Sequence, residues 1–176
     1  IVVRYDVGLM QKAYEENRGF RSSTSRYGHS LFLRDYFMAT YRRLYHHGGC
    51  YFFTVNLANR HSQLLIEHID LLKQAIRHVK QKHSFDIDAM VILPEHLHCV
   101  WTLPEHDMDY STRWRLIKSY FSYNLPYLDD EVYSDSRAKK AERGIWQRRF
   151  WEHLIRDEDD YRAHIDYVHI NPLKHK

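Results

Sequence analysis

The chain reads as an α+β fold, and three observations predict it. Apolar residues alternate with polar ones over residues 50–57 and 85–91, the period of a half-buried strand. Leu65, Ile69, Leu72, Ile76 and Val79 recur at helical spacing, as do Trp114, Ile117, Phe121 and Leu125, so each set forms the buried stripe of a helix. Two further β-prone stretches, 96–103 and 146–155, complete the order strand, helix, strand, strand, helix, strand, followed by one more helix. That order is the ferredoxin-like split βαβ arrangement. It predicts a four-stranded antiparallel sheet with two helices on one face and an extra C-terminal helix. The other face of the sheet is expected to stay free.

Residues 1–40 differ in texture and read as an N-terminal extension, with 41–176 as the main domain. Residues 1–9 could form a short strand or arm. Residues 18–29 are rich in Arg, Ser, Gly and Thr. Arg18, Arg21, Arg26 and Arg34 of the extension could contact phosphates, and a plain linker explains them equally well. The compact part begins near Gly48-Gly49. Tyr51, Phe53, Val55 and Leu57 share one face of the first strand. One unbroken helix of about five turns is expected over 62–82. In the second strand Phe85, Ile87, Ala89 and Val91 are expected on one face, against Asp86, Asp88 and Met90. Pro94-Glu95 makes a tight turn into the third strand, which ends at Pro104. The next helix starts near Ser111, with Arg113, Arg115 and Lys118 off its buried stripe. Residues 126–144 read as a long polar loop, and 146–155 as the fourth strand. Asp157-Glu158-Asp159-Asp160 opens the last helix and reads as a cap matched to the helix dipole rather than a metal site. Pro172 is expected to end that helix near Asn171.

Composition sets outer limits. At 176 residues, 44% apolar, the chain can bury a real core. A net charge of +3 permits a nucleic-acid partner without demanding one. Cys50 and Cys99 form no Cys-x-x-Cys pair, which favours a reducing, cytoplasmic compartment. No apolar run approaches the ~20 residues of a membrane span, and no signal peptide is visible.

The chemistry concentrates in two places. In Pro94-Glu95-His96-Leu97-His98-Cys99 the two histidines lie on one face of a strand, roughly 6–7 Å apart. Imidazoles at that spacing can close on one divalent metal. Leu97, Cys99, Trp101 and Leu103 point the other way and should be core. A single His-x-His among fourteen histidines also arises by chance. The last helix adds a second element. Tyr161, Ile165 and Val168 form its inward stripe, and His164, Tyr167 and Asn171 form a separate polar one. The histidines and the Asn171 oxygen can complete a metal shell, with the Tyr167 hydroxyl beside it as nucleophile. Tyr161 lies on the apolar stripe, and Tyr120 and Tyr123 on the second helix fit packing or DNA contacts better. His153 could support the site or simply pack. His164 could assist proton transfer or simply be exposed.

Four stretches carry a resemblance. Tyr51-Phe52-Phe53-Thr54-Val55-Asn56-Leu57, Leu93-Pro94-Glu95-His96-Leu97-His98, Trp146-Gln147-Arg148-Arg149-Phe150-Trp151-Glu152-His153 and Asp166-Tyr167-Val168-His169-Ile170-Asn171-Pro172 resemble, in order and content, the single-tyrosine HUH transposases, and within them the REP-associated tyrosine transposases of bacteria. The resemblance runs from about residue 41 to the C-terminus. It implies a metal-dependent DNA strand transferase acting on single-stranded or hairpin DNA. Its metal, Mg²⁺ or Mn²⁺, would be bound by His96, His98 and Asn171. Tyr167 would attack, giving a 5′-phosphotyrosine and a free 3′-OH. Relatives from insertion sequences commonly carry Gln at the amide position. Asn is one methylene shorter, so Asn171 could bind directly or through a water.

Phosphate contacts are expected from Arg42, Arg43, Arg60, Arg113, Arg115, Lys118, Arg148, Arg149 and Lys174. Trp114, Trp146, Phe150 and Trp151 could stack on unpaired bases, though core packing suits each of them better. The expected partner is DNA, not a membrane, and the protein is expected to be a monomer or homodimer. One alternative is a domesticated DNA-binding relative with little catalysis. Another is a phosphoesterase that uses water. That reading would need a second His-x-Ser/Thr motif, and His61-Ser62 is not of that form.

Overall fold

The computed structural model describes residues 2–3, 43–127, 135–138 and 142–174. Arg18, Arg21, Arg26, Arg34 and Arg42 lie outside the described residues, and so does the Lys174 side chain. The elements run β1 (Val2–Val3), β2 (Cys50–Asn56), α1 (Leu64–Glu67), α2 (Ile69–Lys82), β3 (Asp86–Ile92), β4 (His96–Thr102), α3 (Tyr110–Asn124), α4 (Asp135–Ala138), β5 (Trp151–Leu154) and α5 (Glu158–Lys174). The sheet order is β1-β3-β4-β2-β5, with every pairing antiparallel. Strands β3-β4-β2-β5 reproduce the predicted four-stranded arrangement. The edge strand β1 comes from the stretch read as an extension, with Val2 opposite Val91.

The two faces of the sheet do different jobs. The back face carries the main core. Tyr51, Phe53, Val55, Leu97, Cys99 and Trp101 are fully buried there against Leu72, Ile76, Trp114, Ile117 and Phe121 of α2 and α3. Trp101 stacks on Trp114 at 4.2 Å and 14°. Burial of side chains this large contributes roughly 1.5–3 kcal/mol each. The front face was expected to be free, and α5 covers it instead. Val168 is fully buried there among Phe52, Ala89, Val91, Leu93 and Val100, with Tyr161 and Ile165 packed alongside. The inward stripe of the last helix was legible in the sequence; which surface it meets was not.

Several elements depart from the sequence reading for local reasons. A β-bulge falls between Ile87 and Ala89. Beyond it the faces exchange, so Met90 and Ile92 join the back core while Ala89 and Val91 face front. The extra residue, Asp88, accepts from Thr102 Oγ1 at 2.8 Å and from Cys50 Sγ at 3.6 Å. Burial raises its carboxyl from 3.8 to about 6. The single helix expected over 62–82 is bent at His68 (φ −113, ψ 37) into α1 and α2. The Leu65 N–H donates to the Pro94 carbonyl at 3.2 Å, which ties the first turn to the β3–β4 turn. Strand β5 is shorter than expected: Trp146 makes only an isolated bridge with Leu57. Helix α3 starts at Tyr110, where the Asp109 carboxylate caps the Thr112 N–H at 2.9 Å. Helix α5 continues through Pro172 to Lys174 instead of stopping at Asn171. A proline this near the end removes only one main-chain bond. Among the described residues no helix is long and apolar enough to cross a membrane.

Candidate metal and nucleophile site

The histidine strand β4 lies between β3 and β2, so its register is fixed on both sides. With Leu97, Cys99 and Trp101 locked into the back core, His96 and His98 must face front. Their rings lie 4.9 Å apart at 83°. Both are buried, at 6% and 5% exposure, and α5 sets Tyr167 against His98. His96 Nδ1 lies 2.8 Å from Glu95 Oε1. Burial pushes the Glu95 carboxyl up, but the His96 bond, helped by Arg60, outweighs it and holds the group below its usual range. An ionised carboxylate can only accept, so Nδ1 of His96 donates to it, which in the neutral ring leaves the Nε2 lone pair for a metal. His98 Nδ1 lies 2.8 Å from Thr54 Oγ1, directly across the β2–β4 pair.

Helix α5 brings the tyrosine to this pair. The Tyr167 ring sits edge-on to His98 at 5.2 Å and to Phe52 at 5.7 Å. It remains 39% exposed, open to a large substrate. One helical turn further on, Asn171 is 1% exposed, and among the described residues neither Oδ1 nor Nδ2 has a hydrogen-bond partner. A buried amide left unpaired costs about 1–3 kcal/mol, and such a group calls for an explanation. A cation beside Oδ1 provides one. Two oriented imidazoles, an unpaired amide oxygen and a half-exposed phenol fit a divalent metal and a nucleophile. Tyr161, by contrast, packs against the front apolar cluster.

The expected cationic residues divide. Arg113 corrects its reading: it is 2% exposed, clasps Asp107 at 2.7 and 3.1 Å, and donates to the Ser84 and Asp109 carbonyls, so it braces α3 rather than meeting a phosphate. Its bond holds the Asp107 carboxyl below the usual range. Lys118 donates to the Gln147 carbonyl at 3.0 Å and lies over the Trp146 and Phe150 rings, pinning the approach to β5. Arg43 is half-buried, while Arg115 and Arg149 are exposed. Arg60 bonds Asn56 Oδ1 at 2.6 Å and approaches Glu95 at 3.9 Å, beside the histidines. Arg148 is exposed and pairs with Glu142 at 2.8 Å. Trp114 and Trp146 are buried and Phe150 packs against the core, whereas Trp151 is 48% exposed with its ring 5.7 Å from Phe52.

One cluster escaped the sequence reading. Asp157, not Asp160, supplies the cap of α5, accepting from the Asp160 N–H at 2.9 Å. The Asp160 carboxylate turns to His153 and His164. The i, i+4 spacing of Asp160 and His164 was visible; that β5 places His153 against them was not.

No family model matches the chain. A REP-associated tyrosine transposase of Escherichia coli (strain K12) is 50% identical over 138 residues, covering 78% of this chain and 74% of that protein. A candidate REP-associated tyrosine transposase of Haemophilus influenzae is 41% identical over 138 residues, covering 78% of each. The solved structure of a REP-associated tyrosine transposase bound to a REP hairpin matches with a TM-score of 0.65 at 50% identity, over 78% of this chain and 74% of that one.

Proposed function

The chain belongs to the REP-associated tyrosine transposases, and we propose that it cleaves and rejoins single-stranded DNA beside a repeat hairpin through a 5′-phosphotyrosine on Tyr167. The observation that carries the reading is the Asn171 amide, buried and unpaired one turn from a tyrosine that meets His98. His96, His98 and Asn171 are the proposed holders of Mg²⁺ or Mn²⁺. When bound, that ion neutralises phosphate charge and orients the phosphate for in-line attack.

The remaining roles fall to side chains. Tyr167 Oη forms a bond to phosphorus as the bond to the 3′ oxygen breaks; the phenol loses its proton and the 3′ oxygen gains one. Phe52 and His98 hold the phenol edge-on, which restricts its approach. The new ester keeps the energy of the broken one, so a 3′-OH can attack it, displace the tyrosine and join strands without ATP. Arg60, Arg115 and Arg149 are the proposed contacts to the DNA backbone, and Trp151 the proposed platform for an unpaired base. The DNA-handling domain is assigned to residues 41–176, working in the cytoplasm as a monomer or homodimer.

The test is a covalent-trapping gel. The protein is incubated with Mn²⁺ and a labelled hairpin carrying a single-stranded foot, beside Tyr167→Phe. The expected result is a metal-dependent, denaturation-resistant protein–DNA band that the variant lacks. Cleavage without that band would instead mean a nuclease that uses water. Tight binding with no cleavage would mean a DNA-binding module.

A further inference from the structure

His153 on β5 and Asp160 and His164 on α5 meet on the front face in a cluster separate from the His96–His98 pair. We propose that this trio is a second metal site, of the zinc class, which clamps the tyrosine-bearing helix to the sheet. The three ligand atoms lie within 4.8 Å of one another. Asp160 Oδ1 is 3.1 Å from His153 Nε2 and 3.2 Å from His164 Nδ1. Donors bound tetrahedrally at zinc distances sit about 3.3 Å apart, so small shifts would admit the ion.

Three features go beyond a chance meeting of side chains. The carboxylate is held in place: the Arg156 main-chain N–H and Nε both reach Oδ2 at 3.1 Å, while His153 Nε2 lies between the two oxygens, 2.9 Å from Oδ2 and 3.1 Å from Oδ1. The two imidazoles stack at 4.7 Å and 19°, and His153 lies parallel to Trp151 at 5.9 Å and 7°, so both rings are positioned before any ion arrives. The side chains are sheltered but reachable, at 26% exposure for His153, 10% for Asp160 and 20% for His164, which suits three protein ligands and one water.

Both sites offer two imidazoles and one oxygen, and the second differs in that its oxygen belongs to a carboxylate. Two imidazoles and one carboxylate suit zinc and its neighbours. His164 Nδ1 also faces the Asp160 main-chain oxygen at 2.8 Å. Binding would exchange that hydrogen bond for a metal bond and release a proton. Both His164 and Tyr167 rest on Phe52, at 4.8 and 5.7 Å, and are one turn apart. An ion joining β5 to the start of α5 would therefore fix the turn from which the tyrosine projects.

The site stands apart from the proposed DNA chemistry and can be tested without it. The metal-stripped full chain is titrated with ZnCl₂ by calorimetry and with Co²⁺ by visible absorption, beside His153→Gln, Asp160→Asn and the double variant His96→Gln/His98→Gln. Far-UV circular dichroism checks that each is folded. The double variant should still bind one Zn²⁺, show tetrahedral Co²⁺ bands and melt at a higher temperature with zinc. His153→Gln and Asp160→Asn should each bind that ion at least tenfold more weakly and lose the zinc-dependent melting shift. Unchanged zinc binding in folded His153→Gln and Asp160→Asn, or none in the double variant, would overturn the proposal.

Discussion

The back and front of this sheet are built from the same strands and obey opposite rules. On the back, Phe53, Trp101, Trp114 and Phe121 are fully buried in an apolar core that also holds α2 and α3. On the front, a small apolar cluster around Val168 holds α5 in place, and beside it lie buried histidines, an unpaired amide, a half-exposed tyrosine and the His153–Asp160–His164 trio. The difference teaches where stability and chemistry are kept. The back contributes most of the folding energy, which lets the front hold polar groups that a core chosen for stability alone would replace.

Substitutions should separate the two faces. Tyr167→Phe has the largest expected effect on chemistry: covalent adduct falls below detection on trapping gels, while stability by urea denaturation changes by no more than about 0.5 kcal/mol. Trp101→Ala has the largest effect on folding, a loss of about 3–5 kcal/mol by the same denaturation measurement. Asn171→Leu should do opposite things to the two properties. Removing an unsatisfied amide raises stability by about 1 kcal/mol, while metal-dependent cleavage collapses. A destabilised Asn171→Leu with normal cleavage would contradict the division of labour between the faces.

A pH series sharpens the same comparison at the bulge. The Asp88 carboxyl is raised from 3.8 to about 6 in the folded state, so the native protein holds that proton more tightly than the unfolded chain. The stability this confers is fully present below the unfolded value and is lost as the pH rises through about 6. Melting temperatures should therefore show a decline over that window worth at most about 3 kcal/mol, and Asp88→Asn should flatten it. The smallest expected effect is that of Arg149→Ala, which should leave melting unchanged, weaken DNA binding several-fold and make its salt dependence shallower.

Legibility followed the same line. Residues whose fate depends on sequence neighbours could be read directly: the helical stripe Trp114, Ile117, Phe121 and Leu125, the alternation that sends Leu97 back and His98 forward, and the stripe that puts Tyr167 and Asn171 on one side of α5. Residues whose fate depends on distant partners could not. The bulge at Asp88 needs Thr102 and Cys50. The burial of Arg113 needs Asp107 and the Ser84 carbonyl. The covering of the front face needs α5 to fold back over β3 and β4, and the His153–Asp160–His164 meeting needs β5 beside it. An alternating pattern that stays apolar on both sides of a bulge, as Phe85, Ile87, Met90 and Ile92 do, gives no warning that the faces exchange.

The central claim is that Tyr167, held beside His98 and Asn171, takes the DNA. It is tested most directly by digesting the trapped protein–DNA adduct and locating the nucleotide by tandem mass spectrometry. The account predicts a single modified peptide with the 5′-phosphate on Tyr167. A phosphate on Tyr161 or any other tyrosine, or cleaved DNA with no modified peptide, would contradict it.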